Sequence, residues 1–412
     1  MLQAGFLTYL VLLVIRPQEF LPSMAGTPLL QLVMVMALLA WSQSRPMHLE
    51  FPQFRLMLPF LLTTFIGIGL GGWWGGIPKA LDYLLPSLAI FTLASGAVRD
   101  RAQLRRTEWV IVGCACLIVL HGHLQMKSGI GWSGALPAEG RITYVGLFND
   151  PNDLGVLFTL AIALAIHLLQ EAGTRLGRIT IGAALGWLAY GVMLTNSRGT
   201  LLACLAVVGY HVYGRYGARA VMVGATLALP ALFAYTRLSQ LDPDEESAEG
   251  RLDAWYEGLQ MLREHPLFGV GYGNFTDHNL LTAHNSLVLA MAELGMVGFP
   301  LWLAFIGYSA SMLQRLVANR PAADEVTRQA EWRASRAVLA AAIGVGICAF
   351  FLSQSFKPML FLTCGLAAGR YAGVAQSLGP LPGYRVARDY PRWVGGALLC
   401  VVGLYVLVKV AL

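Results

Sequence analysis

Proton transfer and anion binding are the two chemistries open to the polar residues of this chain, and those residues are confined to a few short stretches. In Ala283 to Pro300, AHNSLVLAMAELGMVGFP, the pair His284-Asn285 stands at the mouth of a long apolar run, followed after nine residues by Gly295 and then Gly298. An imidazole is suited to take a proton near neutral pH. The plainer reading is a satisfied histidine at a helix start, with Asn285 as the N-cap and the glycines as packing contacts. Upstream, Thr195-Asn196-Ser197-Arg198-Gly199-Thr200 sets one arginine among hydroxyl and amide side chains between two apolar spans. Arg198 either snorkels to lipid headgroups or binds an anion, and its small polar neighbours favour the anion. Phe148-Asn149-Asp150-Pro151-Asn152-Asp153, which follows Arg141, is a turn that also caps the next helix. Whether it is more than a turn, the residues alone leave open.

Composition decides which scaffold positions these groups. Of 412 residues 56% are hydrophobic and only 13% charged, with a mean hydropathy of +0.59. Apolar runs of about 20 residues, the length needed to cross a bilayer, recur throughout. A water-soluble fold of this length would carry more charge, and the alternation of a membrane barrel is missing, so helices must satisfy the backbone in lipid. The expected fold is all-α and polytopic, with twelve or thirteen transmembrane helices. Thirteen spans can be drawn: 2–15, 28–43, 56–71, 80–98, 108–125, 151–170, 179–195, 200–214, 219–236, 285–313, 337–356, 358–376 and 393–411. They divide the chain into an N-terminal bundle (1–236), a long loop (237–284) and C-terminal helices (285–412). The first run, MLQAGFLTYLVLLVI, lacks a basic n-region and a small-residue cleavage site and reads as a span. The six cysteines all fall inside apolar runs and predict neither a disulfide framework nor a zinc site.

Orientation follows from the loops. Most of the 29 Lys and Arg fall on alternate loops, as in the Arg99 to Arg106 and Arg315 to Arg336 segments, which marks that face as cytoplasmic. The net charge of +6 is then a topology signal, and the clusters lack the interleaved aromatics of a nucleic-acid surface. Every chemically suggestive stretch lies on the opposite face. The long loop begins with acids, Asp242, Asp244, Glu245, Glu246 and Glu249, and continues as an amphipathic helix from Arg251 to Arg263. Its stripe of Leu252, Trp255, Leu259 and Leu262 is fit to lie on the bilayer surface. His265 to Phe275 (HPLFGVGYGNF) has glycine spacing reminiscent of a nucleotide loop. With no preceding strand and no following Lys-Ser/Thr it is instead a tight turn returning the chain to His284. His121, His123, His278 and Asp277 lack the matched carboxylate spacing of a metal site. Glu293 lies too deep along its helix to share an atom with His284 unless that helix breaks, and is expected to pair inside the bundle. Asp82 is an isolated intramembrane carboxylate.

Taken in order, five stretches resemble the O-antigen ligase and O-antigen polymerase superfamily of bacterial inner-membrane glycosyltransferases. They are Gly146-Leu147-Phe148-Asn149-Asp150-Pro151-Asn152, Ser197-Arg198-Gly199, Arg251 to Trp255, His265-Pro266-Leu267-Phe268-Gly269-Val270-Gly271, and His284-Asn285 with Gly295 and Gly298. The last is similar to the ligases' His-Asn/Ser/Gln, nine residues, Gly-x-x-Gly pattern. The resemblance implies a GT-C-like bundle with one long periplasmic loop. It further implies metal-independent, cofactor-free transfer of a glycan from an undecaprenyl diphosphate donor to an acceptor hydroxyl at the periplasmic face. The acceptor is expected to be lipid A-core or another glycan or protein. On that reading His284 is the base, and Arg198 and Arg251 stabilise the leaving diphosphate. Asn285, Arg141, Asn152 and Asn149 bind substrate, and the helix near Trp255 is a lid beside the lipid carrier. A polysaccharide polymerase or a protein oligosaccharyltransferase would share this chemistry. A transporter would place its ionisable groups near the midplane of repeated halves, and no such repeat is evident.

Overall fold

The computed structural model describes residues 1–44, 51–239, 248–322 and 324–411, the side chains of 227–239 and 248–249 excepted. Its helices are α1 (Leu2–Ile15), α2 (Leu29–Gln43), α3 (Pro52–Leu70), α4 (Gly76–Ala97), α5 (Arg101–Ser128), α6 (Pro151–Gln170), α7 (Arg175–Thr195), α8 (Arg198–Ser239), α9 (Ala248–Glu264), α10 (Phe275–His278), α11 (Ser286–Val317), α12 (Val326–Phe351), α13 (Pro358–Leu378) and α14 (Val386–Ala411). Among the described residues the sole β-type pairing is an isolated bridge between Ala138 and Arg141. Each of the thirteen drawn spans falls on helical structure, and the two drawn at 200–214 and 219–236 form one run, α8, broken at Gly217. Eight helices among the described residues are long and apolar enough to cross a membrane: α3, α4, α5, α6, α7, α11, α12 and α14. The protein is an all-helical, multi-pass membrane protein.

Helix α13, 21 residues long and less apolar than those eight, is surrounded by protein. It is buried along most of its length and packs chiefly on α4. Its Gly365 and Gly369 sit so close that an added Cβ would meet Phe91 O at 2.7 Å and Val98 O at 2.6 Å. Small residues four apart let two helix backbones approach where hydrocarbon supplies no hydrophobic drive.

The polar turns begin and end the central helices. Asp150 caps α6, its carboxylate accepting the Asn152 N–H, with Pro151 in the first turn where no backbone donor is needed. Asn196 closes α7 in the left-handed conformation (φ 46°) and Arg198 opens α8. Asn285 caps α11, its side-chain oxygen accepting from Leu287 N (2.8 Å) and Val288 N (3.2 Å).

α11 is itself interrupted at Gly295 (φ 61°). An unwound backbone inside a membrane must find partners elsewhere, and here the segment 266–271 supplies them. Val270 and Gly271 donate to Ala292 O and Glu293 O, while Met296 and Val297 donate to Pro266 O and Leu267 O. The approach requires glycine: a Cβ on Gly295 would lie 2.5 Å from Leu267 O and one on Gly269 2.3 Å from Ala292 O. The glycine-rich turn is therefore a splint for a broken helix.

Helix α9 departs from its expected place. Its apolar stripe packs on protein, against α11 and α14, instead of lying on the bilayer. Trp255 is buried, donates its indole N–H to Ala283 O at 3.0 Å and meets Phe350 edge-on. The chain is thereby anchored one residue before His284. The acidic segment expected at Asp242 to Glu249 lies outside the described residues, save for the backbone at its end.

Candidate functional site

The turns before α6, between α7 and α8, before α11 and between α12 and α13 enclose a polar cavity of about 580 Å³. Its walls include Arg141, Asn149, Asn152, Arg198, Arg251 and His284, so six of the seven candidate residues share one space. They come from stretches more than a hundred residues apart in sequence. Asn285 stands outside that set: fully buried, it lines neither cavity described here, its side-chain oxygen caps α11, and its amide nitrogen is buried without a hydrogen-bond partner among the described residues. Its cap, one residue after His284, sets where α11 starts.

Hydrogen bonds fix the frame of the cavity. Arg141 donates from Nε to Thr195 O (2.8 Å) and from a terminal nitrogen to the Asn152 side-chain oxygen (2.9 Å), tying the end of α7 to the start of α6. The His284 backbone N–H donates to Ser353 Oγ at 3.1 Å, and that hydroxyl lies 2.8 Å from Thr282 Oγ1. Ser286 Oγ donates to Leu352 O and accepts the Gln354 N–H, so the α12–α13 hairpin grips the first turn of α11. Burial pushes the Tyr144 phenol up to about 12, keeping it a donor to Ile15 O and pinning the loop before α6 to α1.

Backbone strain is concentrated at the same place. Among the described residues four non-glycine residues have left-handed φ: Arg16, Glu139, Asn196 and His284. The last three line this cavity. Such conformations cost of order 1–3 kcal/mol each and persist where surrounding structure over-determines them, as binding sites do.

A second cavity, of about 520 Å³, shares Asn149, Asp153 and Lys357 with the first. Its lining is mixed: Trp73, Tyr83, Tyr272, Phe275 and Phe356 supply aromatic surface, and Lys79, Thr282, Ser353 and Glu293 supply polar groups. Glu293 lines this space, two residues before the break in α11; its carboxylate accepts the Phe275 N–H at 3.3 Å in place of an intrabundle ion pair. Tyr272 stacks edge-on against Phe356, and burial, with Glu293 beside it, holds its phenol protonated.

Sequence reasoning missed Lys357 and Asp153, which are 2.5 Å apart across the common wall. The available signal was a lone lysine in a tight hairpin on the face where basic residues are otherwise sparse. The remaining candidates are placed plainly. His121 is buried with Nε2 2.7 Å from Ser133 Oγ, and His123 Nδ1 lies 2.9 Å from Tyr190 Oη. Asp82 is exposed on α4 and lines neither cavity. Among the described residues no three His, Cys, Asp or Glu are grouped so as to share a metal ion.

Fold and site define a class: a polytopic helical membrane protein with a cavity that gathers arginines and one histidine at the helix ends. Residues 183–303 match the sequence model of the O-antigen ligase family, so that over this stretch the chain is similar to the O-antigen ligases. The matched stretch holds Arg198, Arg251, His284, Asn285, Gly295 and Gly298 and begins after Arg141, Asn149 and Asn152. A named relative is the exopolysaccharide production protein ExoQ of Rhizobium meliloti (strain 1021), 24% identical over 203 residues. That alignment covers 40% of this chain and 45% of the relative, so the chain spans less than half the length of the protein it matches.

Proposed function

We propose that this protein is a glycosyltransferase of ligase type that moves a glycan from undecaprenyl diphosphate to an acceptor hydroxyl on the periplasmic face of a bacterial inner membrane, without a metal ion. The observation that carries the reading is the convergence of Arg141, Arg198, Arg251 and His284 on one cavity. The acceptor oxygen attacks the anomeric carbon, its proton passes to the His284 imidazole, and the bond from that carbon to the diphosphate breaks. The leaving group departs with extra negative charge, and fixed guanidinium donors lower the barrier where that charge develops. The aromatic cavity beside it, which meets the cationic one at Asn149, Asp153 and Lys357, suits the sugar rings of the acceptor.

Lipid A-core is the acceptor we favour. The printed name of the relative, a protein of exopolysaccharide production, supports a second reading, polymerisation of lipid-linked repeat units with the same residues. Purified enzyme in detergent, given an undecaprenyl-diphosphate-linked oligosaccharide with and without lipid A-core, separates the two. Transfer to lipid A-core that His284→Ala abolishes supports the ligase. Elongation of the donor glycan makes the protein a polymerase. No transfer by well-folded enzyme to any acceptor, glycan or protein, refutes both.

A further inference from the structure

We propose that Lys357 is a further donor-binding cation, held by Asp153 at the wall between the two cavities and transferred to the diphosphate when the donor enters. The inference rests on the reading given under Proposed function and names a residue that neither the motifs nor the matched stretch 183–303 contains.

Four observations carry it. First, the pair is asymmetric: the Asp153 side chain is 7% exposed, whereas that of Lys357 is 39% exposed and opens on the cavity. The ammonium is thus the end of the pair that a ligand in the cavity can reach. Second, Asp153 does not depend on Lys357 alone, because Gln354 also donates to its second oxygen. The carboxylate keeps a partner when the ammonium turns away. Third, Lys357 shares its cavity with Arg141, Arg198 and Arg251, so that four cations face three carboxylates, Glu139, Asp150 and Asp153, across one space that an added diphosphate can enter. Arg141 spends two nitrogens on the neutral acceptors Thr195 O and Asn152 Oδ1, so it retains its charge for a ligand. Fourth, Lys357 lines both cavities and stands where the transferred sugar must pass. A compact ammonium on a flexible stem can follow a leaving group over a short distance, which a hydrogen-bonded guanidinium cannot.

The test compares wild type with Lys357→Arg and with the double variant Asp153→Asn/Lys357→Met, which removes the cation without leaving a buried charge unpaired. Binding of undecaprenyl diphosphate and of undecaprenyl monophosphate is measured in detergent, inorganic pyrophosphate is added as competitor, and donor KM and kcat are determined alongside the thermal midpoint. For loss of one charge-assisted contact, undecaprenyl diphosphate binding should weaken about tenfold in the double variant with donor KM rising in step, while Lys357→Arg, which keeps the charge but not the mobile ammonium, falls between that variant and wild type. The monophosphate should be affected less, and pyrophosphate should compete only at high concentration because it lacks the lipid. A well-folded double variant that binds donor and turns over like wild type overturns the proposal. So does a variant whose kcat and midpoint fall while donor binding and KM stay put, since that describes a structural pair. Wild type that neither binds undecaprenyl diphosphate nor transfers glycan refutes the functional reading itself, a result distinct from either.

Discussion

At the scale of single residues, the guanidinium and imidazole groups can be tested separately from the cap that positions them. Arg198→Ala should abolish transfer while membrane insertion stays normal, and Arg198→Lys should restore only part of it because an ammonium lacks the planar fork. Near-normal turnover of the alanine variant would make Arg198 a snorkelling residue. Asn285 calls for a different variant. Replacing its cap by alanine should cost roughly 0.5–2 kcal/mol, read as a lower thermal midpoint in detergent, and should impair turnover by letting His284 drift. Asn285→Ser should recover both, since a serine hydroxyl also caps; an amide that binds substrate would not be rescued this way. Here the sequence was ambiguous in an instructive manner. Asparagine before an apolar run signals a helix start whatever its neighbour does, and the bonds from Leu287 N and Val288 N show that its oxygen caps the helix.

At the scale of elements, two devices hold His284: the splinted break in α11 and the docked helix α9. Gly295→Ala should destabilise by about 1–3 kcal/mol through backbone strain alone, with the clash at Leu267 O adding to it. Gly209→Ala, in α8 with open space around it, is the control that should leave the midpoint unchanged or raise it slightly, since alanine is the better helix former. Trp255→Phe keeps most of the packing and loses the bond to Ala283 O, so turnover should fall further than stability; equal falls would reduce Trp255 to a packing residue. The stripe of Leu252, Trp255, Leu259 and Leu262 was legible as one apolar face, but periodicity does not say whether lipid or protein covers that face. The partner surfaces on α11 and α14 belong to distant sequence. Lys357 escaped for the same reason: its partner, Asp153, is 204 residues away.

At the scale of the whole molecule, charge is sorted between the two ends of the bundle. Opposite the cavity, at the start of α12 and the end of α13, fully buried Arg370 bonds Glu331 and Arg99 O, and Arg101 reaches the same glutamate at 3.3 Å. That end carries the arginine-rich loops from which topology was read. Single cysteines introduced at Glu139, on the cavity rim, and at Arg328, at the start of α12, should therefore react with an impermeant maleimide from opposite sides of the membrane. Labelling from the same side would overturn the assignment of faces. Transfer should also persist in EDTA; a loss restored by one divalent ion would overturn the metal-free mechanism. Fold class and most span positions were readable because lipid imposes length and apolarity on any helix it touches.

The splint at Gly295 also turns a stretch of sequence into a ruler. Nine residues separate the Asn285 cap from the break, and both ends are fastened, one by the cap and the other by the backbone of 266–271. Inserting or deleting one residue between them would swing His284 by about 100° around the helix axis and shift it by about 1.5 Å along it. Apart from Ser286 and Glu293, whose side chains make bonds of their own, the interval should therefore tolerate volume-conserving apolar replacement and no change of length. Such replacements paired with one-residue insertions would show that what this segment encodes is a distance.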